Sequence, residues 1–373
     1  MSKRICCSLA AGLLFLLAAA PGAEPPAKFL GANSCASSSC HGGGGPAQDQ
    51  FLVWSLKDVH SQRPAATLAT ARAREIAASA GIANPETDDR CTTCHAPLRD
   101  VPGSLRGPAF NVSEGVSCES CHAPAGNWIR SHTRTDYTRA DRTAAGMRDL
   151  EDLYVRANTC VACHQVIAEP LVKAGHPELI FEMDGQSVAE PRHWSTAKNG
   201  NGAQGWFVGQ AVALREVSWS LARENSPAQD ELDRWRGLVW LMVRAAAIDS
   251  RFPPPPEITF RPNPENFELV RKWSDNLARS AAGMAWTDAT TRAALLALAG
   301  ASDDFRAAVP AAVQARRAGR LVLALDRLLG ASENPGANAS LNRLFQLAQS
   351  LPDFDPNRFA TALQDFAHTL APR

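Results

Sequence analysis

Past its first two dozen residues the chain has no apolar run long enough to span a bilayer, which excludes a polytopic membrane protein. It has no net charge either, with 38 Lys and Arg against 38 Asp and Glu. No basic field is therefore available to hold nucleic acid. Tyrosine is scarce, at 2 residues, Tyr137 and Tyr154. No cysteine follows Cys163, and His368 is the only histidine beyond residue 203. Whatever chemistry cysteine and histidine carry is thus confined to the first half. What remains is ordinary: 373 residues, enough for two domains, with the 45% hydrophobic content of a soluble protein.

The N-terminus reads as an export signal. Lys3 and Arg4 precede an apolar run from Ile5 to Ala20, and small residues place cleavage near Ala23. An uncleaved anchor is the alternative reading. Cleavage predicts a periplasmic protein with no integral membrane segment. It removes Cys6 and Cys7 and leaves eight cysteines in an oxidising compartment, where disulfides are permitted. Spacing must then decide between disulfides, metal sites and cofactor attachment.

Three pairs share one form: Cys91-Thr-Thr-Cys94-His95, Cys118-Glu-Ser-Cys121-His122 and Cys160-Val-Ala-Cys163-His164. This is Cys-x-x-Cys-His, the attachment signature of c-type haem. Two thiols add across the two vinyl groups of one porphyrin, and the adjacent histidine ligates the iron from below. With 10 Cys and 9 His in the chain, one match is expected by chance only about 0.006 times. Zinc pairs do not need a histidine after every second cysteine. A thioredoxin-type pair expects a βαβ context, which is not visible. Disulfides within such tight pairs are strained and leave the histidines unexplained. The remaining pair, Cys35 and Cys40, is followed by His41 but has four residues between its cysteines. It reads as a fourth haem site with a stretched spacer. Ala36 to Ser39 are small enough to bulge away from a porphyrin, and Gly42 to Gly45 allow close passage of its edge. The alternative is a Cys35–Cys40 disulfide.

His41, His95, His122 and His164 are thus the proximal ligands of four covalently bound haem c groups. Electron-transfer haems commonly take a second imidazole. Candidates are His60, His132, His176 and His193; His368 reads as a surface residue. The spacing predicts a helix over 48–63 that places Val53, Leu56 and His60 on one face, with Trp54 nearby to wall a haem. His132 follows the third motif. His176, before Pro177, is biased to an extended backbone, and His193 lies in Pro-Arg-His-Trp. Glu119, Glu178, Glu182 and Asp184 could tune potentials or couple protons, against the simpler reading of solvated charges.

The predicted architecture is mainly α. A signal over 1–23 precedes a multihaem cytochrome c domain over 24–200 with little regular sheet. An all-helical domain follows over 201–373. Pro64 to Ala80 predicts one helix closed by Gly81. Arg99 to Ser117 is too rich in Gly, Pro and Ser for regular structure. In the second half, helices are predicted over Gln204 to Glu224, Pro227 to Ile248, Ala315 to Leu329 and Pro356 to Leu370, with a non-helical stretch over Phe252 to Glu265.

Residues 32 to 164 resemble the tetrahaem cytochrome c-554 family, the electron carriers of ammonia-oxidising bacteria. The likeness rests on Trp54-Ser-Leu-Lys-Asp-Val-His60 after the first motif and on Gly115-Val-Ser-Cys-Glu-Ser-Cys-His122, its most specific part. The resemblance implies that His60 ligates the third haem and His132 the first, and that the second haem lacks a protein distal ligand. His176 and His193 are departures: one should serve the fourth haem, and the other could close the second.

The expected function is electron carriage between redox protein partners, through mostly bis-histidine haems. The alternative is an enzyme that acts on a small nitrogen compound at a five-coordinate haem of His95. Against it, the sequence has no Cys-x-x-Cys-Lys motif, and neither tyrosine lies in a recognisable haem cross-linking context.

Overall fold

The computed structural model describes residues 26–45, 48–61, 63–193, 202–257, 262–330, 334–349 and 353–370. The export-signal reading, Met1 to Ala23, lies outside them. Among the described residues the regular structure is helical, and one isolated bridge, Phe29 to Arg106, is the only strand-like pairing. The expected mainly α class is what is found.

The cysteine-bearing half is built of short pieces. These are α1 Gln50–Lys57, α2 Arg63–Leu68, α3 Ala71–Ser79, α4 Asp89–His95, α5 Cys118–His122, α6 Arg139–Ala144, α7 Leu153–His164, α8 Glu169–Lys173 and α9 Met183–Ala189. Two expected helices are shorter than predicted. The helix expected over 48–63 ends at Lys57, because Asp58 turns extended and its carboxylate accepts the His60 backbone N–H at 2.8 Å. His60 therefore sits in a turn beyond the helix, while Val53 is buried and Leu56 is exposed. The helix expected over 64–80 is two, because the Thr70 hydroxyl accepts the Ala73 N–H and starts a new N-terminus. Between α4 and α5 the chain is irregular apart from a 3-10 turn at Gly103–Leu105, as its composition suggests.

The second half is regular. It consists of α10 Gly202–Leu221, α11 Gln229–Ala246, α12 Pro264–Gly283, α13 Asp288–Ala299, α14 Ser302–Arg306, α15 Ala311–Leu329, α16 Pro335–Ala348 and α17 Pro356–Thr369. Within it α10 lies along α12, α11 along α15, and α16 along α17. Trp206, Phe207, Trp235, Phe267, Phe305, Phe359 and Phe366 are buried in one continuous apolar core. No helix among the described residues is long and apolar enough to cross a membrane.

The core extends back into the cysteine-bearing half. Ala157 and Val161 of α7, together with Phe181 and Met183, belong to it. Polar bonds reinforce the joint. The Tyr154 hydroxyl of α7 donates to Asp275 at 2.6 Å, and Arg215 bonds both Asp275 (2.9 Å) and Tyr154 (3.0 Å). Arg320 is buried and donates to the Phe181 carbonyl and to Gln210. The helix that ends in the fourth motif is thereby fixed in the helical half.

Candidate haem sites

The three regular motifs sit at helix ends. Cys91, Cys94 and His95 end α4; Cys118, Cys121 and His122 make up α5; Cys160, Cys163 and His164 end α7. Helical spacing of three places both cysteines of a pair on one face. The Cys35 motif differs. Cys35 ends a 3-10 turn, Ser37 to Cys40 are exposed, and the His41 N–H bonds back to the Cys35 carbonyl at 3.1 Å. The spacer thus forms an outward loop. Gly42 closes it for a reason other than the one expected: a Cβ there would lie 1.9 Å from the Ala36 carbonyl oxygen. Gly44 and Gly45 have open space around them.

All eight thiols are free. Two contacts cross between motifs. Cys35 bonds Cys118, which lowers the Cys35 thiol and raises the Cys118 thiol. Cys163 bonds Cys94, which lowers the Cys94 thiol to about 7 and raises that of Cys163. Burial pushes Cys121 up to about 12 and Cys160 up to about 11, and each of the two raises another motif cysteine by its charge.

The histidines meet in pairs. The ring centroids of His41 and His132 are 6.1 Å apart, those of His60 and His164 5.9 Å, and those of His95 and His176 6.4 Å. Burial holds the His122 imidazole low, at about 4, with a smaller charge effect from His193. Three of the four motif histidines therefore face one histidine from outside the motifs. The resemblance assigned His60 to the third haem, beside His122; its ring instead stands against His164. His132 stands against His41.

The other ring nitrogen is held in five cases by an oxygen. His41 Nδ1 bonds Gln50 Oε1 at 2.8 Å and His60 Nδ1 bonds Asp58 Oδ1 at 3.1 Å. His95 Nδ1 bonds the Pro64 carbonyl at 3.0 Å, His132 Nδ1 the Trp128 carbonyl at 3.3 Å, and His176 Nδ1 the Pro177 carbonyl at 2.9 Å. An oxygen of this kind accepts, so Nδ1 carries the proton and Nε2 keeps its lone pair. His164 Nδ1 meets the Gln186 side-chain amide at 3.5 Å.

Buried carboxylates brace the frame. Glu119, between the cysteines of α5, is buried and accepts the N–H groups of Leu30, Gly31 and Ala125 at 2.7–2.9 Å. Glu114 accepts the Ala32 N–H through both oxygens. Together they tie the chain before the first motif to the third. Glu119 is thus a structural anchor, neither of the roles weighed for it from sequence. Glu178 pairs with Arg234 and Arg316, and Asp184 lies 3.6 Å from Arg327. Gly115 has φ +73 and the Ser61 carbonyl fills the space of its missing Cβ, so this turn needs glycine. Trp54 is buried, and its indole N–H donates to the Val116 carbonyl at 3.0 Å. The sequence reading missed Asp58, Gln50 and Glu190. Asp58 and Glu190 lie 3.1 and 3.8 Å from His60 Nδ1. An acidic residue two positions before a candidate ligand was the available signal for Asp58.

Residues 34–123 match the family model of cytochrome c554 and c-prime. This stretch is similar to c554-type cytochromes. It spans the Cys35, Cys91 and Cys118 motifs and ends just after His122. No curated protein and no solved structure matches the chain. A c554-type cytochrome implies covalently bound haem c.

The residues present fit that group. An imidazole nitrogen bonds a metal ion at about 2.0 Å, so two imidazoles on opposite sides of one ion place their ring centres roughly 6.3 Å apart. The three measured pairs lie close to this spacing. Leu56, Val59, Val112, Val166, Ile180 and Val188 expose apolar surface in the same half.

Proposed function

We propose that the protein is a periplasmic tetrahaem c-type cytochrome that carries electrons between redox proteins. Each haem, when bound, supplies an iron that takes up and releases one electron. Four cysteine pairs hold the groups: Cys35 and Cys40, Cys91 and Cys94, Cys118 and Cys121, Cys160 and Cys163. His41, His95, His122 and His164 ligate from the motif side, and His132, His176, His193 and His60 from the other, in that order. The Nδ1 hydrogen bonds orient five of these rings and leave Nε2 for the metal. The Cys35–Cys118 and Cys94–Cys163 contacts support a chain in which the first site neighbours the third and the second neighbours the fourth. The charge effect of Cys121 on Cys163 supports proximity of the third and fourth. The apolar run from Ile5 to Ala20 and the small residues before Ala23 support export. The helical half serves as the scaffold into which α7 is packed.

One observation favours the carrier over an enzyme with an open iron. His176 stands 6.4 Å from His95, with its Nδ1 already engaged. This supports a reading in which the position that the resemblance leaves open takes a protein ligand instead of a substrate. The ferric protein should be entirely low-spin and unresponsive to cyanide. His176→Ala should introduce one high-spin haem that binds cyanide, read by absorption and electron paramagnetic resonance. A high-spin, cyanide-binding haem in the unaltered protein would favour the enzyme instead.

A further inference from the structure

The hydrogen bonds to the ligand rings are not equivalent. His41 faces a neutral side-chain amide, and His95, His132 and His176 face peptide carbonyls. The Nδ1 of His122 is buried with no hydrogen-bond partner. Of these hydrogen-bonded rings, only His60 bonds a carboxylate, that of Asp58, which is 3% exposed. Glu190 brings a second carboxylate oxygen to 3.8 Å. The ion pairs of the described residues give neither carboxylate an Arg or Lys partner. Both also lie within 4.8 Å of a ligand atom of His193.

We propose that Asp58 is a positioning residue that gives the haem between His60 and His164 the lowest reduction potential of the four. This rests on the tetrahaem reading above. A carboxylate accepting from Nδ1–H makes the imidazole a stronger donor, and its negative charge favours the ferric over the ferrous iron. A neutral carbonyl does the first weakly and the second not at all. The molecule therefore has one end of its redox chain set by a side chain outside every motif. Asp58 also has a structural role, since the same oxygen accepts the His60 backbone N–H. The test must separate the two.

Asp58→Asn keeps an oxygen for both hydrogen bonds and removes the charge. In a spectroelectrochemical titration of the holoprotein, the lowest of four potentials should rise by about 59 mV, a tenfold change in the one-electron equilibrium. Gln50→Glu is the converse, placing a charge of the same shape against His41 Nδ1. It should lower a different potential by a similar amount. The Asp58→Asn protein with four low-spin haems and an unmoved lowest potential would overturn the proposal, as a purely structural role predicts. If Asp58→Asn loses haem, Gln50→Glu decides: a set of four unshifted potentials overturns the proposal. Fewer than four haems in the unaltered protein would overturn the tetrahaem reading, and this inference with it.

Discussion

Glu182 shows how one buried side chain ties stability to pH. It accepts the Gly185 N–H at the start of α9, and burial pushes its carboxyl up from an ordinary 4.5 to about 7. Between those values the unfolded chain has released the proton that the folded chain still holds. Folding stability should therefore fall as pH rises through this window. Glu182→Gln should flatten the fall, read as urea midpoints at about pH 5 and about pH 7.5; an unchanged slope would assign it to other groups. At this scale the sequence was most legible where covalent chemistry fixes local spacing. Cysteine pairs and their adjacent histidines are visible in any window of five or seven residues. The partner of each histidine was not. His60 meets His164 across more than a hundred residues of chain, and nothing in Lys-Asp-Val-His announces it. Asp58 and Glu119 were equally hidden, since a carboxylate reads as solvated until the fold shows what its oxygens accept.

Among the elements, α10 carries the largest share of the second core. Phe207 stacks on Phe252 at 4.8 Å and meets Trp286 at 5.4 Å, with no exposed surface of its own. Phe207→Ala should cost about 3–5 kcal/mol of stability, from lost burial and the cavity left behind. A urea titration of the holoprotein followed by far-ultraviolet circular dichroism measures it, and a loss under about 1 kcal/mol would mean that the core collapses around the gap. Helices of this half could be read from sequence within a few residues. Gln204 to Glu224 is observed as Gly202–Leu221, and Pro227 to Ile248 as Gln229–Ala246. Their apolar period is sustained and their packing partners are other helices, so local pattern and tertiary demand agree. In the cysteine-bearing half they disagree. Asp58 and Thr70 each interrupt an apparently continuous helix by binding backbone N–H groups, which periodicity alone does not register.

The molecule as a whole joins two kinds of interior. The helical half has a continuous apolar core that also holds α7. Among the described residues, the cysteine-bearing half has one small separate apolar cluster, Ala77, Ile82 and Leu171, beside individually buried side chains such as Trp54 and Trp128. On the tetrahaem proposal, the folding of this half should be coupled to haem attachment, because few side chains are buried there to offset its conformational entropy. The concentration of the motif cysteines, and of every histidine but His368, in one half was legible in the sequence. The reach of the second core into α7 was not, because Ala157 and Val161 lie inside a motif-bearing helix and reveal no partner. The central claim is that four haems are attached, including one at the stretched motif of Cys35 and Cys40. The most direct measurement is a pyridine haemochrome count per polypeptide with the intact mass of the same sample, on the unaltered protein and on a Cys35→Ser, Cys40→Ser double variant. The account predicts four haems and then three. A count of three in the unaltered protein that the double substitution leaves at three would contradict it.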